Sequence, residues 1–132
     1  MANVVQASAK KLFMDGDIDL LADTIKVYLI DTADYTYSAA HAFLSDIPSA
    51  ARVANATLGS KTTTGGVFDA ADTSLASVSG DVSEALAIVK ETGVESTSPF
   101  ITYIDTGVGG LPVTPSGTNI LVTWSASGIF AL

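Results

Sequence analysis

Apolar and polar residues alternate in several short stretches of the chain, most clearly in TIKVYLID, residues 24–31. Successive side chains of an extended strand point to opposite faces, so Ile25, Val27 and Leu29 share one face with Asp31. The alternation therefore predicts a strand whose odd-numbered face lies in the core.

Similar patterns occur towards both ends of the sequence. Near the C-terminal end the chain reads SPFITYID and then NILVTW, with a segment rich in Gly, Pro and Ser between them, and SASGIFAL continues the extended pattern to Leu132. Near the N-terminal end, ASAKKLFM alternates well enough to predict a first strand, and the acidic stretch DGDIDL predicts a turn after it.

The middle of the chain is less regular. VANATLGSKTTT has strand composition, whereas SAAHAFLSDIP predicts a short helical turn near 38–46 that ends before Pro48. EALAIVKE fits an alternating and a helical pattern equally well. Its short length between two turn signals and its Ile88-Val89 pair favour a strand.

These segments predict an all-β fold, a small antiparallel β-sandwich or barrel of about seven to eight short strands. Residues 10–132 form a single β domain in this interpretation, and residues 1–9 form an N-terminal arm or an edge strand. The arm is uncharged before Lys10 and apolar at two positions. We therefore predict that it contacts a partner, through Asn3, Val4, Val5 and Gln6.

Composition excludes several classes of function. Six basic residues stand against 14 acidic ones in 132 residues, a net charge of −8, which disfavours nucleic-acid binding. The chain has no cysteine, so disulfides, thiolate metal sites and cysteine nucleophiles are excluded.

The mean hydropathy of +0.42 comes largely from small residues. No apolar run approaches the roughly 18 residues that a membrane-spanning helix needs, and the N-terminal sequence lacks the pattern of a signal peptide. We expect no membrane partner and synthesis in a cytoplasm. Few charges and many small residues suggest that an assembly covers part of the surface, although a β protein rich in small residues would have the same composition.

The densest carboxylate cluster is the alternating series Asp15, Asp17 and Asp19. It imitates the start of an EF-hand loop, but Lys26 occupies the position of the bidentate glutamate. A solvated turn is the preferred interpretation, and a weak surface cation site is the alternative.

No other motif predicts catalysis. His41 is the single histidine, its neighbours are apolar, and no GxSxG motif is present. Trp124 lies at a strand position, which favours a core role over a partner anchor. We predict that the protein is not an enzyme and needs no cofactor.

An ordered series of segments covers nearly the whole chain: KKLFMDGDIDLLADTIKVYLIDTADY, HAFLSDIP, GGVFDAADTSLASVSGD, EALAIVKETG, SPFITYIDTGVGGLPVTPSGTNILVTW and GIFAL. This series resembles a family of small virion-associated structural proteins of tailed bacteriophages. The resemblance implies a component of a phage particle, associated with the head, made in the bacterial host cytoplasm and located in the virion. It supplies no catalytic residue.

The preferred hypothesis is a capsid decoration or cement protein that binds the outer head surface in many copies and stabilises the particle. Its partners would be the major capsid protein or other virion proteins, and it would form a homo-oligomer or a multi-copy array. One alternative is a head-to-tail connector, tail or fibre component. Another is a receptor- or glycan-binding module, in which exposed aromatic side chains such as Tyr35, Tyr37 or Trp124 would stack on sugars.

Overall fold

The most apolar segments of the chain form the centre of an antiparallel sheet. The structure is a computed structural model that describes residues 4–106 and 108–132. The strands in this part of the chain are β1 (Val4–Val5), β2 (Ile25–Ile30), β3 (Arg52–Thr57), β4 (Val67–Phe68), β5 (Thr73–Leu75), β6 (Ala85–Lys90), β7 (Phe100–Ile104), β8 (Ile120–Val122) and β9 (Phe130–Ala131), and the α-helix is α1 (Ala7–Met14). Short 3-10 turns occupy Leu44–Asp46, Ser49–Ala51, Thr64–Gly66 and Glu95–Thr97.

The main sheet has five strands in the order β1-β7-β6-β2-β3, and every neighbouring pair is antiparallel. Two ribbons accompany it, β4 with β9 and β5 with β8. The prediction of a small antiparallel β-rich fold is confirmed. A closed sandwich or barrel is not evident from these sheets of five, two and two strands.

The sheet is buried on both faces. Ile25, Val27 and Leu29 are fully buried in the larger core cluster, as the alternation of TIKVYLID predicts. Tyr28 and Ile30, on the other face of β2, are buried as well and belong to a second cluster. The loop after β2 covers this second face with apolar side chains, those of Tyr35, Leu44 and Ile47.

The segment ASAKKLFM is a helix, and the prediction of a first strand there is wrong. Ala9 is fully buried in the main core, and Leu12 and Phe13 pack against the same cluster. Spacings of three and four residues place these three side chains on one face of a helix, whereas a strand would separate Leu12 from Phe13. Docking of this face on the core selects the helix over the strand.

The helical turn expected near 38–46 is present only at the end of that range, as the 3-10 turn Leu44–Asp46. EALAIVKE is a strand, β6, in the middle of the main sheet. Its neighbours on both sides hold it extended, because Ile88 lies opposite Val27 of β2 and Thr102 of β7.

Candidate functional site

The N-terminal segment enters the fold at the edge of the main sheet. Val4 and Val5 are half-buried and lie opposite Tyr103 and Thr102 of β7. Gln6 is only 1% exposed. Its side-chain Nε2 donates hydrogen bonds to the carbonyl oxygens of His41 (2.7 Å) and Ser38 (3.2 Å).

The structure describes three of the four residues that were predicted to contact a partner. Asn3 lies outside the described residues. Val4 and Val5 form an edge strand, so they remain near the surface. The side-chain amide of Gln6 is buried and hydrogen-bonded within the chain.

An aromatic cluster surrounds the single histidine. The Tyr35 hydroxyl hydrogen-bonds to His41 Nδ1 at 2.7 Å, and the rings of Tyr37 and Tyr103 lie 4.9 Å apart between centroids. Burial raises the pKa of the Tyr35 hydroxyl above its ordinary value. The contact between this hydroxyl and the His41 ring ties the loop after β2 together.

The same loop is closed by Asp46. Its Oδ2 accepts hydrogen bonds from the backbone N–H groups of Ala42 (2.8 Å) and Phe43 (3.0 Å). These two donors lower the pKa of the Asp46 carboxyl, because they stabilise its charged form. Within the described residues, the hydrogen bond of the His41 ring is to a tyrosine and not to a serine or a carboxylate. These hydrogen bonds within the loop indicate that its histidine and aspartate have structural roles.

Trp124 lies just after β8 and belongs to the core, in agreement with the core role predicted for it. It is 6% exposed, and its Nε1 donates a hydrogen bond to the carbonyl oxygen of Ala71 at 3.1 Å. The backbone N–H of Trp124 donates to Asp72 Oδ1 at 3.0 Å. Tyr35, at 4% exposure, is buried too. These two side chains therefore do not form an exposed surface for stacking on sugars.

The acidic turn has roles within the chain. Asp19 Oδ1 accepts hydrogen bonds from the N–H groups of Leu21 and Ala22, both at 3.1 Å, and Asp15 forms an ion pair with Lys11 one helical turn earlier. Among the described residues, Asp15, Asp17 and Asp19 do not bring their carboxylates together at the spacing of metal ligands.

A different set of carboxylates converges where the inner strand β2 ends and its neighbour β6 begins. The side-chain oxygens of Asp31, Asp34 and Asp81 lie within 4.8 Å of one another. Asp31 is 4% exposed and accepts a hydrogen bond from the N–H of Ala33 at 2.9 Å. Carboxylate oxygens are the ligands that calcium and magnesium prefer, so this group could hold a hard cation.

Sequence reasoning missed this group because its members are far apart in the chain. The one available signal was the position of each aspartate relative to a strand: Asp31 follows β2, and Asp81 precedes β6 by a few residues. Since β2 and β6 pair antiparallel with Ile30 opposite Ala85, the end of β2 and the start of β6 lie side by side at the same end of the sheet.

Apolar grooves border β9. One groove, of about 320 Å³, is lined by Lys10, Phe13, Met14, Ala131 and Leu132. A second, of about 240 Å³, is lined by Val4, Val5, Thr102, Ile129, Phe130 and Ala131. Ala131 lines both grooves, so they adjoin along β9. Met14 is 81% exposed and Leu132 is 63% exposed, so the first groove is bordered by exposed apolar side chains.

Charges are distributed unevenly around these grooves. Among the described residues that line them, Lys10 is the one with a charged side chain, and it forms no ion pair within that part of the chain. Elsewhere Arg52 pairs with Glu95 through two hydrogen bonds of 3.0 Å.

Comparison with known proteins assigns no family to this chain. No protein-family model matches the chain, and no curated protein matches it with significant similarity. No helix within residues 4–106 and 108–132 is both long enough and apolar enough to cross a membrane.

Proposed function

We propose that this chain is a structural protein of a tailed-bacteriophage particle that decorates the outer surface of the capsid in many copies and stabilises it. The observation that carries the proposal is the ordered series of segments, from KKLFMDGDIDLL near the start to GIFAL at the end, which resembles small virion-associated proteins. The partner in this proposal is the major capsid protein or another virion protein.

The surface supports such a role. Large apolar side chains that are more than half exposed include Met14, Leu21, Val94, Leu121 and Leu132. Exposed apolar area is costly in isolation and favourable once a partner covers it. A small interface of this kind suffices on a lattice, because an oligomer that engages several capsid subunits gains a high effective concentration for each further contact.

The alternatives make different demands on the structure. A glycan-binding module needs exposed aromatic rings, and the burial of Tyr35 and Trp124 removes two of the three that the sequence offered. A connector, tail or fibre component would use the same fold in fewer copies. The number of copies per particle therefore separates decoration from these other positions.

Quantitative mass spectrometry of purified particles tests the proposal. Decoration predicts on the order of hundreds of copies per particle, whereas a ring-shaped connector predicts about six to twelve. Particles produced without the protein should release their DNA at a lower temperature, and added purified protein should restore the original temperature. Absence of the protein from purified particles, or a normal heat resistance of particles that lack it, would refute the proposal.

A further inference from the structure

Two sheet edges are open and face the same groove. β1 is the last strand on its side of the main sheet, and β9 has β4 as its one neighbour in the ribbon. Residues of both strands line the groove of about 240 Å³, with Val4 and Val5 on one side and Phe130 and Ala131 on the other. An open edge presents unpaired backbone groups, to which a further strand can pair.

The register identifies which backbone groups are free to pair. The N–H of Gln6 donates to the carbonyl oxygen of Ile101 at 2.8 Å, which makes these two residues a hydrogen-bonded pair. Such pairs alternate along an antiparallel ladder, so Val5, opposite Thr102, directs its N–H and C=O away from β7. In the ribbon of β4 and β9, the N–H of Leu132 donates to the carbonyl oxygen of Gly66 at 3.1 Å. The same alternation then directs the N–H and C=O of Ala131 away from β4.

The side chains beside these edges are mostly apolar, and a positive charge lines the adjoining groove. Phe13 and Met14 continue the groove along α1. Lys10 lies at this surface without an ion-pair partner among the described residues, in a chain of net charge −8. The local charge thus favours an occupant that carries a carboxylate, because this would pair with the ammonium group of Lys10.

We propose that the groove between β1 and β9 binds an extended apolar segment of a partner protein, which adds a strand beside β1 and places a carboxylate near Lys10. Hydrogen bonds to the N–H and C=O of Val5 would hold its backbone, and apolar side chains on one face would fill the grooves next to Phe130 and Met14. The inference concerns the binding surface alone and does not depend on the proposed function.

A second copy of the chain fits this groove less well. Each copy carries a net charge of −8, so two copies repel one another at long range. The described strands are all paired within the fold, so a second copy could pair only through its own open edge and against this repulsion. An extended segment that carries a single carboxylate meets much less of this repulsion.

Binding of a synthetic peptide tests the proposal. The probe is a fluorescein-labelled peptide of about eight residues in which valine alternates with threonine and one threonine is replaced by glutamate. We expect binding with a Kd in the micromolar range, together with slower hydrogen exchange at the Val5 amide. A matched peptide with lysine in place of glutamate should bind about tenfold more weakly.

Two variants of the protein test the two parts of the interaction. Val5→Pro removes the outward N–H and leaves the bonds to β7, so it should weaken binding about tenfold or more. Lys10→Glu should reverse the preference between the glutamate and lysine peptides. Lys26→Glu is the matched control, because Lys26 also forms no ion pair with any described residue but lies on β2, away from the groove. It should leave the preference unchanged.

A modified peptide tests strand pairing without changing the protein. Methylation of alternate backbone nitrogens removes the donors of one peptide edge, and it should abolish binding if a strand is added. Unchanged binding of the methylated peptide, or no binding of any peptide, would overturn the proposal. So would a concentration-dependent dimer that Val5→Pro abolishes, because the occupant would then be a second copy.

Discussion

The two faces of β2 provide the most direct test of the fold. Leu29 and Ile30 are adjacent in sequence, point to opposite faces of the main sheet, and are both 0% exposed. Leu29 belongs to the larger core cluster and Ile30 to the smaller one. We predict that Leu29→Ala and Ile30→Ala destabilise the protein by similar amounts, although the sequence pattern alone assigns only the odd-numbered face to the core.

The size of the effect follows from the atoms removed. Each substitution deletes three buried carbons, worth about 2 kcal/mol at roughly 0.8 kcal/mol per methylene. A residual cavity of roughly 60–80 Å³ adds about 1.5–2 kcal/mol at 24 cal/mol per Å³. The total of about 3–4 kcal/mol is a large fraction of the roughly 5–15 kcal/mol by which a domain of this kind is stable.

Urea denaturation measures both variants. Trp124 is the single tryptophan and is buried, so its fluorescence reports unfolding, and far-ultraviolet circular dichroism checks that the transition is cooperative. Lys26→Ala is the control, because Lys26 is only half-buried on the same strand and should cost less than about 0.5 kcal/mol. If Ile30→Ala stayed within about 1 kcal/mol of the parent protein while Leu29→Ala did not, the second face would be uncovered and the two-sided core would be refuted.

Three further predictions concern other parts of the fold. Gly128→Ala should cost about 2 kcal/mol or more, because its φ is +96° and a Cβ there would clash with the Cγ1 methyl of Val67. Gly59→Ala, with open space around the added Cβ, should change the melting temperature little. Removal of residues 2–9 should lower the urea midpoint strongly, because this segment includes the buried side chains of Gln6 and Ala9. An unchanged midpoint would contradict the place of this segment in the core. Asp34→Asn should raise the melting temperature at low ionic strength, because it relieves repulsion among the three clustered carboxylates. The gain should shrink with added salt, and the control Asp17→Asn should show no such gain.

The strands of the main sheet were the most predictable part of the fold. The segments that form β2, β6 and β7 are rich in β-branched and aromatic residues and are bounded by turn signals, so composition and length predicted them correctly. Burial of both faces was less visible. Tyr28 and Lys26 share a face with Ile30, and the polar groups of these two side chains make that face look exposed, whereas the tyrosine ring is in fact buried beneath the loop after β2.

The helix α1 was missed because its signals are weak. Gln6 precedes it without a side-chain cap, the first turn has no acidic residue, and eight residues are too few for a clear period. Ala9, Leu12 and Phe13 do have helical spacing, but the alternation of small and large residues in ASAKKLFM fits a strand almost as well. Tertiary contacts with the core decide between the two, and these contacts are not part of the local pattern.

The candidate sites could not be predicted from the sequence because each of them joins distant parts of it. The groove beside β9 brings Lys10 and Met14 of α1 against Leu132, so residues near the two ends of the chain form one surface. The carboxylate group likewise needs the pairing of β2 with β6 to bring Asp81 to Asp31. A local pattern gives the face of a strand but not its neighbour in the sheet. The order of the strands, which places β1 at an edge beside β9, is therefore what creates the groove that we propose as a binding surface.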